Sequence, residues 1–196
     1  RHAYETKMKA FSNGEYDIII GTQMVAKGLD FENVTLVGVL SADQVLYSDD
    51  FRSNERGFDL LTQVVGRSGR GTKRGRAIIQ TYTPENPVIA LASHQDYVHF
   101  YQQENLFRKV MLYPPFADIV VIGFVGEQES KVAKASQLFL EMLSHLASKE
   151  YSELPIRALR PTPAQVAKVS NKYRYKLMIK CKNNLTFRTM LSRLLV

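Results

Sequence analysis

The 196-residue sequence predicts an α/β unit built on a parallel sheet, followed by a small α+β domain of ferredoxin-like type. Near-continuous apolar strands alternate with helical stretches in the first part of the chain, which is typical of a parallel sheet covered on both faces. After residue 114 the predicted order becomes βαββα over roughly 80 residues, the order of a two-layer α+β sandwich. The turn-rich segment at residues 83–87 separates the two patterns.

The first unit, residues 1–85, is predicted from three strands and two helices. A helix is expected over residues 3–12, and Asn13-Gly14 supplies the turn after it. A second helix over residues 55–65 is expected to direct Phe58, Leu60, Leu61 and Val65 inward. The three buried strands are expected at residues 16–21, 34–40 and 76–82.

Residues 86–114 are predicted to form a helical connector, and residues 115–196 form the second domain. This domain begins with a strand over residues 119–125 and a helix over residues 131–149 that carries an apolar stripe. The stripe consists of Val132, Ala135, Leu138, Phe139, Met142, Leu143 and Leu146. The remaining elements are an extended segment over residues 156–159, a strand over residues 173–182 and a terminal helix that begins near Asn184.

Positive charge is concentrated in the later part of the chain. Lysine and arginine number 26 against 19 acidic residues, a formal charge of +7. Residues 1–85 hold 11 basic and 11 acidic residues, whereas residues 86–196 hold 15 basic and 8 acidic. After Glu153 there is no acidic side chain. An asymmetry of this kind is typical of a surface that binds an anionic partner.

Composition excludes several classes of protein. No apolar run reaches the roughly 18–20 residues that cross a bilayer, and the N-terminus has no signal-peptide core, so we expect a soluble protein without a membrane partner. The single cysteine, Cys181, cannot form an internal disulfide or a zinc cluster and is expected to be a small buried strand residue. Because the chain starts at Arg1 without a methionine, we expect it to be a piece of a larger protein.

The strand predicted at residues 173–182 has two chemically different faces when it is read with a period of two. The apolar face consists of Tyr173, Tyr175, Leu177, Ile179 and Cys181. The other face consists of Arg174, Lys176, Met178, Lys180 and Lys182. Same-face neighbours lie about 6.6 Å apart, so this row, with Lys168 and Lys172, can follow a sugar–phosphate backbone. The alternative is a solvated row that protects a sheet edge from aggregation, and the acid-free stretch favours nucleic acid.

Two segments of the first unit point to specific chemistry, and the first is residues 21–31, Gly-Thr-Gln-Met-Val-Ala-Lys-Gly-Leu-Asp-Phe. It follows the first predicted strand, where open parallel sheets bind ligands. Glycine permits close backbone approach to a phosphate, Thr22 can hydrogen-bond a nucleic-acid phosphate, and Asp30 can accept a bond from a ribose hydroxyl. A strand–turn–helix in which Asp30 is only a cap explains the same residues, and the segment alone favours that alternative.

The second segment is residues 63–71, Gln-Val-Val-Gly-Arg-Ser-Gly-Arg-Gly. Its two arginines, Arg67 and Arg70, are three residues apart and separated by glycines, so both can point into one cleft. The planar, permanently charged guanidinium matches phosphate oxygens, and an arginine finger of this kind contributes about 10³–10⁵ in rate to phosphoryl transfer. A single Gly-Arg pair is also found in solvated loops, but the full Gln-x-x-Gly-Arg-x-Gly-Arg pattern is far more specific.

Residues 21–31 resemble motif V, and residues 63–70 resemble motif VI, of superfamily 2 helicases. Longer stretches are similar to the primosomal protein N′ family over essentially the whole chain: DIIIGTQMVAKGLDFENVTLVGVLSAD, DFRSNERGFDLLTQVVGRSGRG, YPPFADIVVIGF and RPTPAQVAKVSNKYRYKLMIK. The resemblance implies that residues 1–85 are the latter part of a second RecA-like helicase lobe, followed by the family's C-terminal domain. It implies an ATP-dependent 3′→5′ DNA helicase that recognises forked DNA and restarts stalled replication through primosome assembly.

The same resemblance implies a role for each matching residue. Arg67 and Arg70 match the motif VI arginines that reach the nucleotide phosphates, and Gln63 matches the glutamine that couples that site to the lobe. The motif V matches are Thr22, a contact to the DNA backbone, and the nucleotide-side positions Gly28 and Asp30.

The sequence departs from the family pattern by omission. It contains no G-x-x-x-x-G-K-[ST] loop, no acidic box for Mg²⁺ and none of the family's zinc-binding cysteines. We expect the main ATP, Mg²⁺ and zinc sites to lie upstream of Arg1, and this chain alone to lack ATPase activity. A non-catalytic DNA- or protein-binding module is the alternative function.

The resemblance also implies partners and a location. The expected partners are forked or single-stranded DNA, single-strand-binding protein and components of the primosome. The expected location is the bacterial cytoplasm, in association with the nucleoid.

Overall fold

The computed structural model describes residues 2–22, 34–66 and 75–195, and the chain divides after Glu104 into two compact units. The first unit contains, in chain order, helix α1 (His2–Ser12), strand β1 (Leu36–Val39), helices α2 (Asp43–Leu46) and α3 (Ser53–Val65), strand β2 (Arg76–Ile79) and helix α4 (Pro87–Ser93). Helix α5 (Tyr97–Met111) begins in the first unit and ends in the second.

The sheet of the first unit is parallel, as predicted. Strand β1 pairs with β2 in the register Leu36 to Arg76 and Val39 to Ile79. Val39 and Ile79 pack on a core of buried residues: Ala42, Leu46, Phe58, Leu61, Val88, Ile89, Ala92 and Phe100. Within the described residues the opposite face of the two strands is exposed, with Leu36 57% and Ile78 51% accessible, so the predicted coverage of both faces is seen on one face only.

The predicted strand at residues 16–21 does not form. Ile18 is 77% exposed and Ile20 is 89% exposed, and the segment lacks regular structure. A strand is stabilised by hydrogen bonds to a neighbour, and among the described residues the ladder of this unit joins only β1 and β2. Apolar, β-branched residues alone therefore do not produce a strand here.

Helix α3 confirms the predicted helix and packs closely on α2. Phe58 and Leu61 are buried as predicted, whereas Val64 rather than Leu60 or Val65 completes the buried face. Gly57 lies on that face, and a Cβ atom at this position would collide with the Leu46 side chain. Glycine therefore permits the close approach of the two helices.

The second unit is an antiparallel sheet covered on one face by two helices. It contains β3 (Asp118–Gly126), helix α6 (Glu129–Glu150), β4 (Arg157–Ala158), β5 (Thr162–Val169), β6 (Lys172–Cys181) and helix α7 (Leu185–Leu195). Strand β6 is central, with β3 on one side and both β4 and β5 paired along the other. The α+β fold is confirmed, and its order βαβββα contains one strand more than predicted.

Candidate nucleotide and nucleic-acid sites

Helix α3 places Gln63 and leads directly into the arginine segment. Gln63 lies on the exposed side of the helix, opposite Phe58 and Leu61. The helix ends at Gly66, whose N–H donates to the carbonyl of Thr62 at 2.9 Å. The predicted arginines Arg67 and Arg70 lie outside the described residues, and so do Gly28 and Asp30. Thr22 is exposed, and it is the last described residue before the segment that contains Gly28 and Asp30.

Asp43, which the sequence interpretation left out, joins the carboxyl ends of the two parallel strands. Its carboxylate accepts hydrogen bonds from the hydroxyl of Thr81 at 2.9 Å, the hydroxyl of Thr83 at 3.2 Å and the N–H of Tyr82 at 3.1 Å. Tyr47 donates to the Thr83 hydroxyl at 2.9 Å. An aspartate three residues after a predicted strand, at the edge where parallel sheets bind ligands, is the signal that could have identified it.

The bonds to Asp43 change its acidity. Desolvation raises the pKa of the carboxyl, but the combined hydrogen bonds from Thr81, the backbone of Tyr82 and Thr83 stabilise the carboxylate and hold the pKa below its usual value. Asp43 therefore fixes the turns after β1 and β2 most strongly when it is ionised.

Strand β6 divides its side chains between two faces as the period of two predicts. Leu177, Ile179 and Cys181 are buried under α6 and α7, at 0%, 0% and 3% exposure. On the opposite face, Arg174 pairs in register with Val125 of β3, and Lys176 pairs with Gly123. We call this the outer face. Because Val121 and Val125 are 52% and 61% exposed, it combines cationic heads with accessible apolar surface.

The other predicted cations occupy three kinds of position. Lys172 shares the strand parity of Arg174 and is exposed beside the β5–β6 turn. Lys168 of β5 pairs in register with Tyr173, and its ammonium lies 4.7 Å from the centre of that ring. Lys182 is exposed just after the strand ends. Lys168 therefore does not continue the row of Arg174 and Lys176.

Lys180 is not available to an external partner, which corrects its place in the predicted row. Lys180 is only 5% exposed, and its ammonium donates to the carbonyl of Met111. The ammonium also lies 3.8 Å from the centre of the Tyr113 ring. Burial, with a smaller contribution from nearby Arg157, lowers the pKa of Lys180. The period of two places Lys180 on the correct face, but it cannot reveal that residues 111–113 cover this end of the face.

The described part of the chain offers no group of three or more metal-binding side chains. None of its helices has the length and apolarity of a membrane-spanning segment.

Comparison with known proteins defines first a class and then a family. Residues 2–72 match the family model described as the helicase conserved C-terminal domain, and residues 109–195 match the primosomal protein N C-terminal domain. The first match, together with the parallel sheet, assigns residues 2–72 to the RecA-like lobe of helicases. The second match and the relatives below place the chain in the primosomal protein N′ family, as a C-terminal part.

Three relatives carry the name replication restart protein PriA. The protein of Bacillus subtilis (strain 168) is 42% identical over 193 residues, 98% of this chain and 23% of its own length. The protein of Synechocystis sp. is 40% identical over 178 residues, which are 91% of this chain and 21% of its length. That of Chlamydia muridarum is 39% identical over 186 residues, 95% of this chain and 24% of its length. The chain therefore spans about a quarter of these curated relatives.

Proposed function

We propose that this chain is the C-terminal part of an ATP-dependent 3′→5′ DNA helicase that recognises forked DNA and restarts stalled replication through primosome assembly. The observation that carries this proposal is the Gln-x-x-Gly-Arg-x-Gly-Arg sequence, whose first residues lie at the end of α3 in a unit that also contains a parallel sheet. The restart role rests on relatives named replication restart protein PriA that match nearly the whole chain.

In this proposal the first unit completes the site of ATP hydrolysis. Arg67 and Arg70 bind the transferring phosphate, where fixed positive charge stabilises the charge that develops on its oxygens. Gln63 couples their position to α3. In motif V, Thr22 contacts the DNA backbone. Gly28 and Asp30 face the nucleotide.

The ATP phosphates and Mg²⁺ are bound mainly by parts of the longer protein outside this chain. The described residues contain no carboxylate cluster that fits a divalent ion, so we assign Mg²⁺ no ligand here. Zinc likewise belongs to the remaining part of the family's chain. We therefore propose that this chain alone hydrolyses no ATP.

In the second unit, the outer face of β6 is proposed to contact DNA through Lys172, Arg174 and Lys176, with Lys182 beside it. Electrostatic contacts to phosphates need accessible cations. Lys172, Arg174 and Lys182 are exposed, Lys176 is half-buried, and no acidic side chain follows Glu153 in the sequence. Single-strand-binding protein and primosome components are the proposed protein partners, and the bacterial nucleoid is the proposed location. We also propose that the helicase lobe ends at residue 85 and that the C-terminal domain begins at residue 115.

A salt titration tests the DNA-binding proposal on the full chain. We expect the double variant Arg174→Ala, Lys176→Ala to bind single-stranded oligothymidine more weakly. The plot of log K against log salt should become less steep, its slope decreasing in magnitude by about 1.4, because each lost phosphate contact removes about 0.7 from that magnitude. The matched control is Lys131→Ala, Lys134→Ala, which removes the same charge from exposed positions of α6. Equal slopes for the two double variants would assign the cationic face to solvent or to a protein partner.

A further inference from the structure

Strand β3 lies at an edge of the second unit's sheet, and among the described residues only β6 pairs with it. The N–H of Leu159 donates to the carbonyl of Met178 at 2.9 Å, so the polar backbone groups of Met178 point away from β3. These groups alternate in direction along a strand, so the residues on either side of Met178 bond to their partners in β3, Val120 and Ile122. The residues of β3 whose N–H and C=O groups point to the free edge are Ile119, Val121, Gly123 and Val125.

This free edge lacks the features that commonly prevent a sheet edge from pairing with another strand. Such features are charged side chains, prolines and bulges along the edge strand. Strand β3 is nine residues long, contains no proline and carries its single charge at its first residue, Asp118. Its register with β6 is unbroken. A long apolar edge of this kind is a template for strand pairing.

Helix α6 adds an apolar side to the same edge. A groove beside the end of β3 is lined by Lys131, Val132 and Ala135 of α6. Leu138 and Met142 continue the side of Lys131 and Ala135 at helical spacing, and they are 54% and 48% exposed. The apolar stripe of α6 is therefore wider than the area that the sheet of its own unit covers.

A second copy of β3 fits this edge in an antiparallel register centred on Ile122. In that register Val121 lies opposite Gly123 of the second copy, and Val120 lies opposite Phe124. A Cβ atom at Gly123 would meet nothing within 4 Å, so there is room beside it for a valine side chain. The free N–H and C=O groups of the two strands then exchange about eight hydrogen bonds.

The helices also suit this arrangement. Helix α6 packs on both β3 and β6, so two copies of α6 would lie about two strand spacings, or roughly 10 Å, apart, which is a normal helix packing distance. Lys134 and Glu141 are exposed one turn before and one turn after Leu138. Two antiparallel helices that meet at Leu138 bring each Lys134 opposite Glu141 of the other copy, and such complementary charges specify a register.

We propose that β3 and the adjoining side of α6 form an interface between two copies of this chain, which joins their sheets into one antiparallel sheet. The interface buries Leu138 and Met142 and satisfies the free edge of β3. The inference requires neither DNA binding nor ATP hydrolysis. Because a twofold axis perpendicular to the sheet keeps both outer faces on the same side, the Arg174 side chains of the two copies lie on one surface.

Sedimentation equilibrium of the full chain at increasing concentration tests the interface. The mass should rise from that of one chain, 22.3 kDa, toward twice that value. Val121→Lys places an ammonium opposite Gly123 of the second copy and should raise the dimer dissociation constant about ten-fold or more. The matched control is Val166→Lys on the other edge strand, β5, where the valine is 56% exposed, and it should leave the dissociation constant unchanged.

Charge reversal tests the antiparallel orientation of the two helices. Lys134→Glu alone, or Glu141→Lys alone, places like charges opposite each other and should weaken the dimer several-fold. An equimolar mixture of these two variants should form a mixed dimer more tightly than either variant pairs with itself, because both contacts again join opposite charges. The matched control is Ser144→Glu, at an exposed position on another side of α6, and it should change neither result.

Three outcomes would overturn the inference. A chain that stays monomeric at every concentration would mean that β3 is left free or is covered by another part of the longer protein. A dimer that Val121→Lys does not weaken would use another surface. Mixed dimers no tighter than those of the single variants would exclude the antiparallel arrangement. If circular dichroism shows that Val121→Lys is unfolded, Leu138→Lys, at an exposed position of α6, replaces it with the same expected loss.

Discussion

The buried cysteine of β6 shows how environment sets the chemistry of a single residue. Cys181 is 3% exposed and lies in the core formed by Leu143, Leu177, Phe187 and Met190. Burial, with a smaller contribution from Asp118, raises the pKa of the thiol to about 11. The position inside a predicted strand correctly indicated a small buried residue.

We therefore expect Cys181 to be almost inert toward thiol reagents in the folded chain. At pH 8 about one thiol in a thousand is ionised when the pKa is near 11, and the thiolate is the reactive form. Labelling by a chromogenic disulfide should be slow in native buffer and rapid, to one equivalent, in denaturant. Rapid stoichiometric labelling without denaturant would show that the β6 core is open.

Asp43 predicts a dependence of stability on pH. Its pKa is depressed in the folded chain, so its contribution is present above the unfolded-state pKa near 3.9 and is lost as pH falls through the lower folded value. Asp43→Asn should lower the unfolding midpoint at pH 7, and its difference from the unaltered chain should shrink below about pH 4. Urea titrations at pH 7 and pH 3 measure both quantities. A constant difference across that range would contradict the ionised-carboxylate explanation.

At the scale of elements, the β5–β6 hairpin marks the limit of prediction from periodicity. Residues 162–169 contain a proline and mixed polar residues, so their alternation is weak. The connecting residues Ser170 and Asn171 both have positive φ, at 48° and 60°, which is the geometry of a type I′ hairpin turn. Asn-Gly is the strong signal for that turn, and Ser-Asn carries much less information.

Helix α6 shows that an apolar stripe in the sequence does not fully predict which side of a helix is buried. Val132 and Leu143 are buried as predicted, but Leu138 and Met142 are 54% and 48% exposed. The buried side of the helix instead includes Ser136, which is 0% exposed and whose hydroxyl donates to the carbonyl of Ala133 at 2.8 Å. A serine bonded to its own helix can enter a core at little cost, and hydrophobicity alone does not identify it.

The start of α7 was correctly located from the sequence, and its cap gives a quantitative prediction. The side chain of Asn184 accepts a hydrogen bond from the N–H of Phe187 at 2.9 Å, which satisfies one of the helix's first four donors. Asn184→Ala should destabilise the full chain by about 1 kcal/mol, and Asn184→Gly by only a few tenths. Equal unfolding midpoints for Asn184→Ala and the unaltered chain would show that the cap adds nothing.

At the scale of the whole molecule, the sequence predicted the protein family better than it predicted which site residues are exposed. The resemblance of residues 21–31 and 63–70 to helicase motifs, and of longer stretches to the primosomal protein N′ family, assigned the class and family that the comparisons support. The six predicted cations and Thr22 could not be ranked from the sequence, because exposure depends on neighbours distant along the chain. Lys180 shows this most clearly, since Met111, 69 residues earlier, covers it.

We propose that Arg67 and Arg70 complete a DNA-stimulated ATP-hydrolysing site in the longer protein. The most direct measurement is DNA-stimulated ATP hydrolysis by the longer protein carrying Arg67→Ala or Arg70→Ala, with Arg188→Ala on the exposed side of α7 as the matched control. We predict a loss of about 10³-fold or more for at least one of the two motif VI variants, and unchanged hydrolysis for the control. Full activity in both motif VI variants would contradict the account.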